Sequence, residues 1–292
     1  HTSKEEIQGE IEATMERIES LASHWRADTP VSRFNRMLDT QPFPISSELL
    51  EILKVAERIH HETEGAFDVT VAPLVNLWGF GPIEETRGEI PTNEEIENAL
   101  ASMGQDKLEL LPQSSIRKTR PDLQLDLSAL AKGYAIDQVA QRLDELGVLH
   151  YLVELGGELR AKGTGTKGQG WQVGIEHPQT DVNATKTHQV IALENAAVAT
   201  SGNYRLAFND PDTGQSYSHL IDPRTGRPVP HDLLAVSVLA PTAMEADAWA
   251  TALLVLGSEK GMQLAEKENL AALFVEPGPS GIQVLTTANF PR

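Results

Sequence analysis

The sequence contains no cysteine and no long apolar run. Because cysteine is absent, the chain has no disulfide, no thiolate nucleophile and no zinc–thiolate site. No stretch approaches the ~20 consecutive apolar residues that a membrane-spanning helix needs, which predicts a soluble chain. Apolar residues still make up 40% of the sequence, and this is enough for a sizeable core.

Positive charge is also scarce. Lys and Arg together number 24 against 42 Asp and Glu, so the formal net charge is −18. Nucleic-acid binding is disfavoured, because phosphate backbones are recognised by clustered Lys and Arg. A polyphosphate ligand would need local help from a bound cation, from backbone amides or from a few well-placed basic side chains.

Two common nucleotide-binding motifs are missing. No GxGxxG follows a predicted strand, which disfavours a Rossmann oxidoreductase, and the GxxxxGK[ST] spacing of a P-loop does not occur. Residue 1 is His, and nothing near it resembles a signal peptide, so we expect the first residue to be a processing boundary.

Hydrophobic spacing and turn residues predict many short elements. Helices are predicted at about 4–25, 46–63, 93–103, 128–146, 242–256 and 258–267. Strands are predicted within 107–126 and at 151–154, 171–175, 187–193, 196–200, 234–239, 270–276 and 281–286. Residues 28–36, 65–81 and 82–92 are interpreted as loops or connectors. We therefore predict an α+β fold, one domain over residues 1–292, with mixed, mostly antiparallel sheets and flanking helices.

The helix at 242–256 has clear signals at both ends. Thr242 and Glu245 have the spacing of a capping box, and Gly257 stands where helices often end. The helix is almost wholly apolar, but Asp247 and Thr251 share one face at i and i+4. Two interpretations are open: the pair binds a hard cation such as Mg²⁺, or Thr251 bonds to its own helix and Asp247 pairs with a basic group.

Two further segments carry polar residues at turns. Asp126 closes a predicted strand before a helix with Ser128 as its candidate N-cap, and Lys132 could add charge to this anion-binding helix terminus. A second segment, in which Pro223 and Gly226 set the turn, gathers four polar side chains, His219, Asp222, Arg224 and Thr225.

Seven stretches together resemble the ApbE family, the FAD:protein FMN transferases, and they occur in the family's order over about residues 20–260. The resemblance makes the predicted fold a single ApbE-like domain. Members usually begin with a strand carrying a Met-Gly-Thr-like motif, whereas this chain opens directly in a predicted helix. The matching stretches are Ser32–Asn35, Gly65–Asp68, Asp126–Tyr134, Glu154–Gly157, Ala199–Gly202, His219–Gly226 and Glu245–Thr251.

The resemblance implies a specific reaction. Such enzymes bind FAD and Mg²⁺ and transfer FMN to a Thr or Ser hydroxyl of a partner flavoprotein, forming a phosphoester bond and releasing AMP. Acceptors are typically subunits of membrane electron-transport complexes, which implies a location in the periplasm or on the outer face of the cytoplasmic membrane. Two alternatives are an Mg²⁺-dependent FAD pyrophosphatase, which uses water as the acceptor, and a non-catalytic FAD-binding carrier.

The resemblance also assigns residues. The implied metal ligands are Asp247, Thr251 and the backbone carbonyl of Ala129, an all-oxygen set. Our own candidates for the catalytic residues are His219, Asp247 and Arg224. We favour His219 as the base, although it could instead hold its turn, and Arg224 either contacts phosphate or braces the loop. The residues expected to contact FAD are Ser32, Phe34, Asn35, Gly65, Ala66, Phe67, Asp126, Lys132, Glu154, Gly156, Gly157, Ser201, His219, Ile221, Asp222 and Thr225.

Overall fold

The computed structural model describes residues 3–82, 90–166, 168–176, 187–203, 207–209, 214, 216–279 and 281–291. Helices and strands alternate irregularly, and every paired strand runs antiparallel to its neighbour, which confirms the predicted α+β class. The helices are α1 (Lys4–Ala22), α2 (Pro30–Arg36), α3 (Ser47–Glu62), α4 (Ala72–Leu77), α5 (Asn93–Ser102), α6 (Ser128–Glu145) and α7 (Ala243–Lys267).

The strands are short, as predicted. They are β1 (Phe43–Pro44), β2 (Leu108–Leu111), β3 (Ser115–Lys118), β4 (Tyr151–Leu155), β5 (Glu158–Lys162), β6 (Trp171–Glu176), β7 (Thr187–Leu193), β8 (Ala196–Gly202), β9 (Ala207–Asn209), β10 (Ser216–Ser218), β11 (Ile221–Asp222), β12 (Arg227–Pro228), β13 (Ala235–Ala240), β14 (Ala271–Gly278) and β15 (Gly281–Thr286). The chain divides into two compact units. One comprises His1–Arg17, Ala129–Tyr204 and His231–Arg292, and the other comprises Ile18–Ser128 and Arg205–Pro230. The predicted extent of the domain, 1–292, stays a prediction.

A six-stranded antiparallel sheet forms the framework of the first unit, with the strand order β15-β14-β13-β8-β5-β4. Helix α7 packs against β8 and β13. Ala243, Ala246 and Ala250 on this helix are fully buried, and their small side chains allow close approach to the sheet. The helix is interrupted at Gly257, whose φ of 79° is readily adopted by glycine.

Helices α6 and α7 cross at very short range. A Cβ atom added to Gly133 on α6 would lie 2.3 Å from the carbonyl oxygen of Ala243. Four residues later, the carboxylate of Asp137 accepts hydrogen bonds of 2.9 Å from the backbone N–H groups of Ala243 and Met244. These are among the N–H groups that a helix leaves without an internal partner, so α6 supplies a cap for α7.

In the second unit, an apolar cluster supports the turn between β11 and β12. Leu74, Trp78 and Ile221 are buried together in this cluster. The indole N–H of Trp78 donates a 2.8 Å hydrogen bond to the carbonyl of Gly226, which ties the turn to the cluster. This buried bond both satisfies the indole and holds the turn against a rigid aromatic ring.

Several predicted boundaries were wrong for local reasons. Residues 28–36 were predicted to be a loop but include helix α2, because Thr29 caps it and Pro30 occupies its first turn. Residues 65–81 were predicted to be a connector, but their apolar run forms helix α4. No strand precedes α6 at residues 119–127. In the loop predicted at 82–92, residues 83–89 lie outside the described residues.

Among the described residues, no helix combines the length and the apolar character needed to cross a bilayer. The buried face of α7 is used within the first unit, where the helix packs on β8 and β13. The apolar stretch noted in the sequence is therefore core.

We predict that Gly133→Ala lowers the free energy of unfolding by about 1–3 kcal/mol, because the added methyl group overlaps the α7 backbone and forces the helices apart. Urea unfolding monitored by circular dichroism measures the effect. Gly9→Ala on α1 is the matched control. No atom lies within 4 Å of its added Cβ among the described residues, so it should stabilise the protein by up to about 1 kcal/mol. Equal effects of the two changes would contradict the close crossing.

Candidate active site

In the first unit, Asp247 belongs to a cluster of two buried carboxylates and one partly exposed lysine. Its side chain projects from α7 and is 3% exposed, and the Nζ atom of Lys132 on α6 lies 3.2 Å from its Oδ2. The same Nζ atom lies 3.0 Å from Oε1 of Glu158, which begins β5 and is 4% exposed. One ammonium group therefore serves two buried carboxylates.

Burial sets the electrostatics of this cluster. Desolvation raises the pKa of Asp247 above its usual range, against the opposing effect of Lys132. Desolvation also raises the pKa of Glu158, and the negative charge of Asp247 raises it further. Burial lowers the pKa of Lys132, but the two carboxylates outweigh this and leave the pKa above its usual value. The cluster thus has an excess of negative charge in a site with little solvent.

Two predicted metal ligands lie on different helices, Ala129 in the first turn of α6 and Asp247 on α7. The backbone N–H of Gly133 on α6 lowers the pKa of Asp247 and so opposes the effect of burial. In an α-helix, that N–H points towards the carbonyl of the residue four earlier, which is Ala129.

Thr251 lies one helical turn after Asp247 on α7. Its Oγ1 atom is 3.0 Å from Oγ of Ser201 at the end of β8, so these two predicted site residues do contact each other. The Thr251 hydroxyl therefore has a hydrogen-bond partner outside its own helix, namely Ser201. The other part of that alternative, an ion pair for Asp247, is present as the contact with Lys132.

The donor set of Asp247, Thr251 and Ala129 fits a hard divalent cation, since all three supply oxygen. A second observation agrees with this: the Oε2 atom of Glu158 is buried and has no hydrogen-bond partner among the described residues. The described residues contain no group of three or more His, Cys, Asp or Glu side chains placed to hold a metal. A set with one carboxylate, one hydroxyl and one carbonyl lies outside that pattern.

Gly156 and Gly157, which were predicted to contact FAD, form a tight turn between β4 and β5. Their φ values of 64° and 102° explain why glycine occupies both positions. The Oε1 atom of Glu154 accepts a 2.9 Å hydrogen bond from the N–H of Gly157 and so closes the turn. This turn delivers Glu158 into the charged cluster.

In the second unit, Arg224 braces the turn within His219–Gly226. Its guanidinium donates two hydrogen bonds to Asp222, from Nε to Oδ1 at 2.9 Å and from Nη2 to Oδ2 at 2.8 Å. Oδ1 of Asp222 also accepts from the backbone N–H of Arg224 at 2.9 Å. The hydrogen bond with Asp222 is the main cause of the raised pKa of Arg224.

The remaining residues of this loop are placed by the core beside it. Ile221 is buried in the apolar cluster with Trp78. The His219 ring packs edge-on against Phe80, with 6.1 Å between the ring centroids. The Thr225 hydroxyl lies 3.5 Å from the backbone oxygen of Asp222. The structure therefore brings the four polar residues of the predicted loop onto one supported turn.

Three residues predicted to contact FAD lie on α2, namely Ser32, Phe34 and Asn35, and the first two are buried. Phe34 is 0% exposed and packs against Phe43, so in this structure it supports the unit from within. Ser32 is buried in the first turns of α2. Asn35 exchanges side-chain hydrogen bonds of 2.7 and 2.8 Å with the backbone of Leu125. That exchange positions the segment that carries Asp126.

Asp126 also connects to the predicted Gly65–Phe67 contact. Its N–H donates a 2.7 Å hydrogen bond to the carbonyl of Val69, just after that segment. Ala66 and Phe67 are buried, and His60 Nδ1 lies 2.9 Å from the Phe67 carbonyl oxygen. Asp126 itself faces His24, with Nδ1 of His24 3.5 Å from Oδ1.

Sequence reasoning missed Glu158, Gly133 and His24 as parts of these arrangements. Glu158 directly follows the Gly156–Gly157 turn, so its place after a predicted site turn was the available signal. Gly133 follows Lys132 inside a predicted helix, where glycine is costly and calls for a packing reason. His24 had no local signal, because its partner Asp126 is distant in the sequence.

We predict that Asp222→Ala lowers the free energy of unfolding of the ligand-free protein by about 2–3 kcal/mol, because it removes a buried, charge-assisted brace. Asp122→Ala is a matched control, since Asp122 forms the same two-bond pair with Arg120 two residues away but on the surface. The control should change stability by less than about 1 kcal/mol. Equal losses in urea unfolding would contradict the bracing role.

Comparisons with known proteins identify similar proteins over most of the chain. The sequence model described as "ApbE family" matches residues 1–274. A "FAD:protein FMN transferase" of Haemophilus influenzae is 40% identical to the chain, covering 99% of it and 84% of the relative. The protein of the same name from Escherichia coli K12 is 40% identical, covering 93% of the chain and 76% of the relative.

Solved structures are similar over nearly the whole chain. "Flavin Transferase ApbE from Vibrio cholerae" has a TM-score of 0.89 and 38% identity, with 99% of this chain and 90% of that one covered. The apo form of the Pseudomonas stutzeri flavinyl transferase ApbE has a TM-score of 0.87 and 39% identity, covering 98% of this chain and 87% of that one. With the family match spanning most of its residues, the chain belongs to the ApbE family.

Proposed function

We propose that this chain transfers FMN from FAD to a Thr or Ser hydroxyl of a partner flavoprotein. The relatives are named FAD:protein FMN transferases. The observation that carries the proposal is the buried cluster in which Asp247, Lys132 and Glu158 meet. In a chain of net charge −18, such a site can hold an anionic pyrophosphate only if a cation balances it.

In the proposed reaction, separate residues bind the cation and contact the phosphate. Asp247, Thr251 and the Ala129 carbonyl would hold Mg²⁺, which when bound neutralises phosphate charge and acts as a Lewis acid. The Lys132 side chain is 43% exposed, so its ammonium can face both the cluster and a phosphate. Positioning and charge stabilisation supply most of the acceleration in phosphoryl transfer.

The bond changes are those of an in-line displacement. The acceptor hydroxyl oxygen attacks the phosphorus on the FMN side, forming the phosphoester as the bond to the AMP oxygen breaks. A neutral hydroxyl is a poor nucleophile, and we assign His219, whose ring packs against Phe80, as the group that takes its proton. Arg224 keeps that turn in shape through Asp222.

The acceptor belongs, in this proposal, to a membrane electron-transport complex, and the reaction takes place in the periplasm or on the outer face of the cytoplasmic membrane. The support is the family to which the chain belongs. Identification of a protein that carries FMN on Thr only in cells containing this enzyme tests the partner. Fractionation of those cells tests the location.

We predict that Asp247→Ala lowers single-turnover transfer at least about 100-fold, because loss of a bound Lewis acid removes several kcal/mol of stabilisation. The assay follows covalent flavin on a Thr-containing acceptor peptide with FAD and Mg²⁺. Addition of EDTA to the wild type should give a loss of similar size. Asp144→Asn, an exposed carboxylate on α6, is the control and should keep full activity.

Full transfer by Asp247→Ala would refute the cation assignment. The same assay without acceptor distinguishes the reaction types. Rapid AMP release in the absence of any acceptor would identify the enzyme as a pyrophosphatase. Slow release that the acceptor accelerates supports the transferase.

We predict that His219→Gln lowers the transfer rate about 100-fold or more and leaves FAD affinity within about threefold of the wild type. The reason is that a base acts on the acceptor hydroxyl and not on bound FAD. Fluorescence titration measures the affinity, and the single-turnover assay measures the rate. If FAD binding is lost together with transfer, His219 has the structural role instead.

A further inference from the structure

A cation bound to Asp247 would compete with Lys132 for the Asp247 carboxylate. Its Nζ atom contacts both oxygens of Asp247, at 3.5 Å from Oδ1 and 3.2 Å from Oδ2. A magnesium ion binds a carboxylate oxygen at about 2.0–2.1 Å. An ammonium and a divalent cation on the same carboxylate would repel each other strongly in a site with little water. Cation binding at Asp247 therefore requires Lys132 to move.

Glu158 is the nearest group that can accept the displaced ammonium. Its Oε1 atom already lies 3.0 Å from Nζ. Its Oε2 atom is buried and has no hydrogen-bond partner in the described part of the chain. A buried carboxylate oxygen without a donor is costly, so this atom has unused capacity to accept one.

The turn before Glu158 holds that carboxylate in place. A Cβ atom on Gly156 would lie 3.4 Å from Oε2 and 3.9 Å from Cδ of Lys132, so the turn packs directly over the pair. Antiparallel pairing of Glu158 with Leu155 and of Leu159 with Glu154 fixes the start of β5. The turn and the strand pairing therefore fix the carboxylate that accepts from the Lys132 ammonium.

We propose that Glu158 is a positioning residue that takes over the Lys132 ammonium when a divalent cation occupies Asp247. Without the cation, Asp247 and Glu158 share the Lys132 ammonium. With the cation on Asp247, both oxygens of Glu158 accept from that ammonium. The inference rests on the proposed function, because it assumes the cation site at Asp247. It assigns Glu158 a role in cation affinity that is exerted through Lys132.

Calorimetric titration of the ligand-free full chain with Mg²⁺ tests the proposal without measuring activity. Glu158→Gln should weaken Mg²⁺ binding about tenfold, because Lys132 then stays on Asp247 and competes. Lys132→Gln should tighten binding, because the competitor is gone. In the Lys132→Gln background, Glu158→Gln should change the dissociation constant less than about threefold.

Two further variants complete the design. Glu158→Asp keeps the charge but withdraws it by one methylene, and should give an intermediate loss of affinity. Glu194→Gln, an exposed carboxylate in the same unit, removes one charge at a distance and should leave the affinity unchanged. Thermal unfolding of each variant in EDTA confirms that the titrated protein is folded.

The titrations distinguish an effect of Glu158 that is exerted through Lys132 from a direct effect on the cation. If Glu158→Gln weakens binding equally with and without Lys132, Glu158 acts on the cation directly and the proposal is overturned. If Glu158→Gln has no effect in the wild-type background, the proposal is also overturned, while the cation site stands. If the wild type binds no Mg²⁺, the cation part of the proposed function fails, and this inference falls with it.

Discussion

The central constraint in this protein is the placement of two carboxylates and one ammonium in a site with little water. Asp247 and Glu158 are both buried, and Lys132 lies within 3.2 Å of each. Such a group is stable only if its geometry is held closely, since an unpaired buried charge costs several kcal/mol. The same imbalance of charge makes the site receptive to a further cation.

The surrounding fold serves this placement. Gly133 lets α6 and α7 approach, and Asp137 caps the start of α7, so the two helices that carry Lys132 and Asp247 are tied together near the start of α7. The glycine turn after β4 brings in Glu158 from the sheet. In the second unit, a separate brace between Asp222 and Arg224 holds the turn that carries His219. Rigid elements thus support each candidate group.

Some functional residues were predictable because their signal is local. The apolar helix with Asp247 and Thr251 could be predicted from the spacing of its residues, and Thr242 caps it by accepting a hydrogen bond from the Glu245 N–H. The His219–Gly226 turn was predictable from Pro and Gly. Phe34 could not be assigned from the sequence in this way. It lies in a motif that matches the family, yet its ring is fully buried. Residue type alone does not distinguish a ligand contact from a core contact.

The α+β class, most helices and strands, and the family could be predicted from the sequence, because periodicity, turn residues and motif order are properties of neighbouring residues. The folded structure was needed to show that one lysine is shared by Asp247 and Glu158, which lie far apart in the sequence. It also decided that Arg224 is engaged by Asp222 and that His24 faces Asp126. Pairings between distant residues depend on how helices and strands pack, and that packing leaves no periodic trace in the sequence.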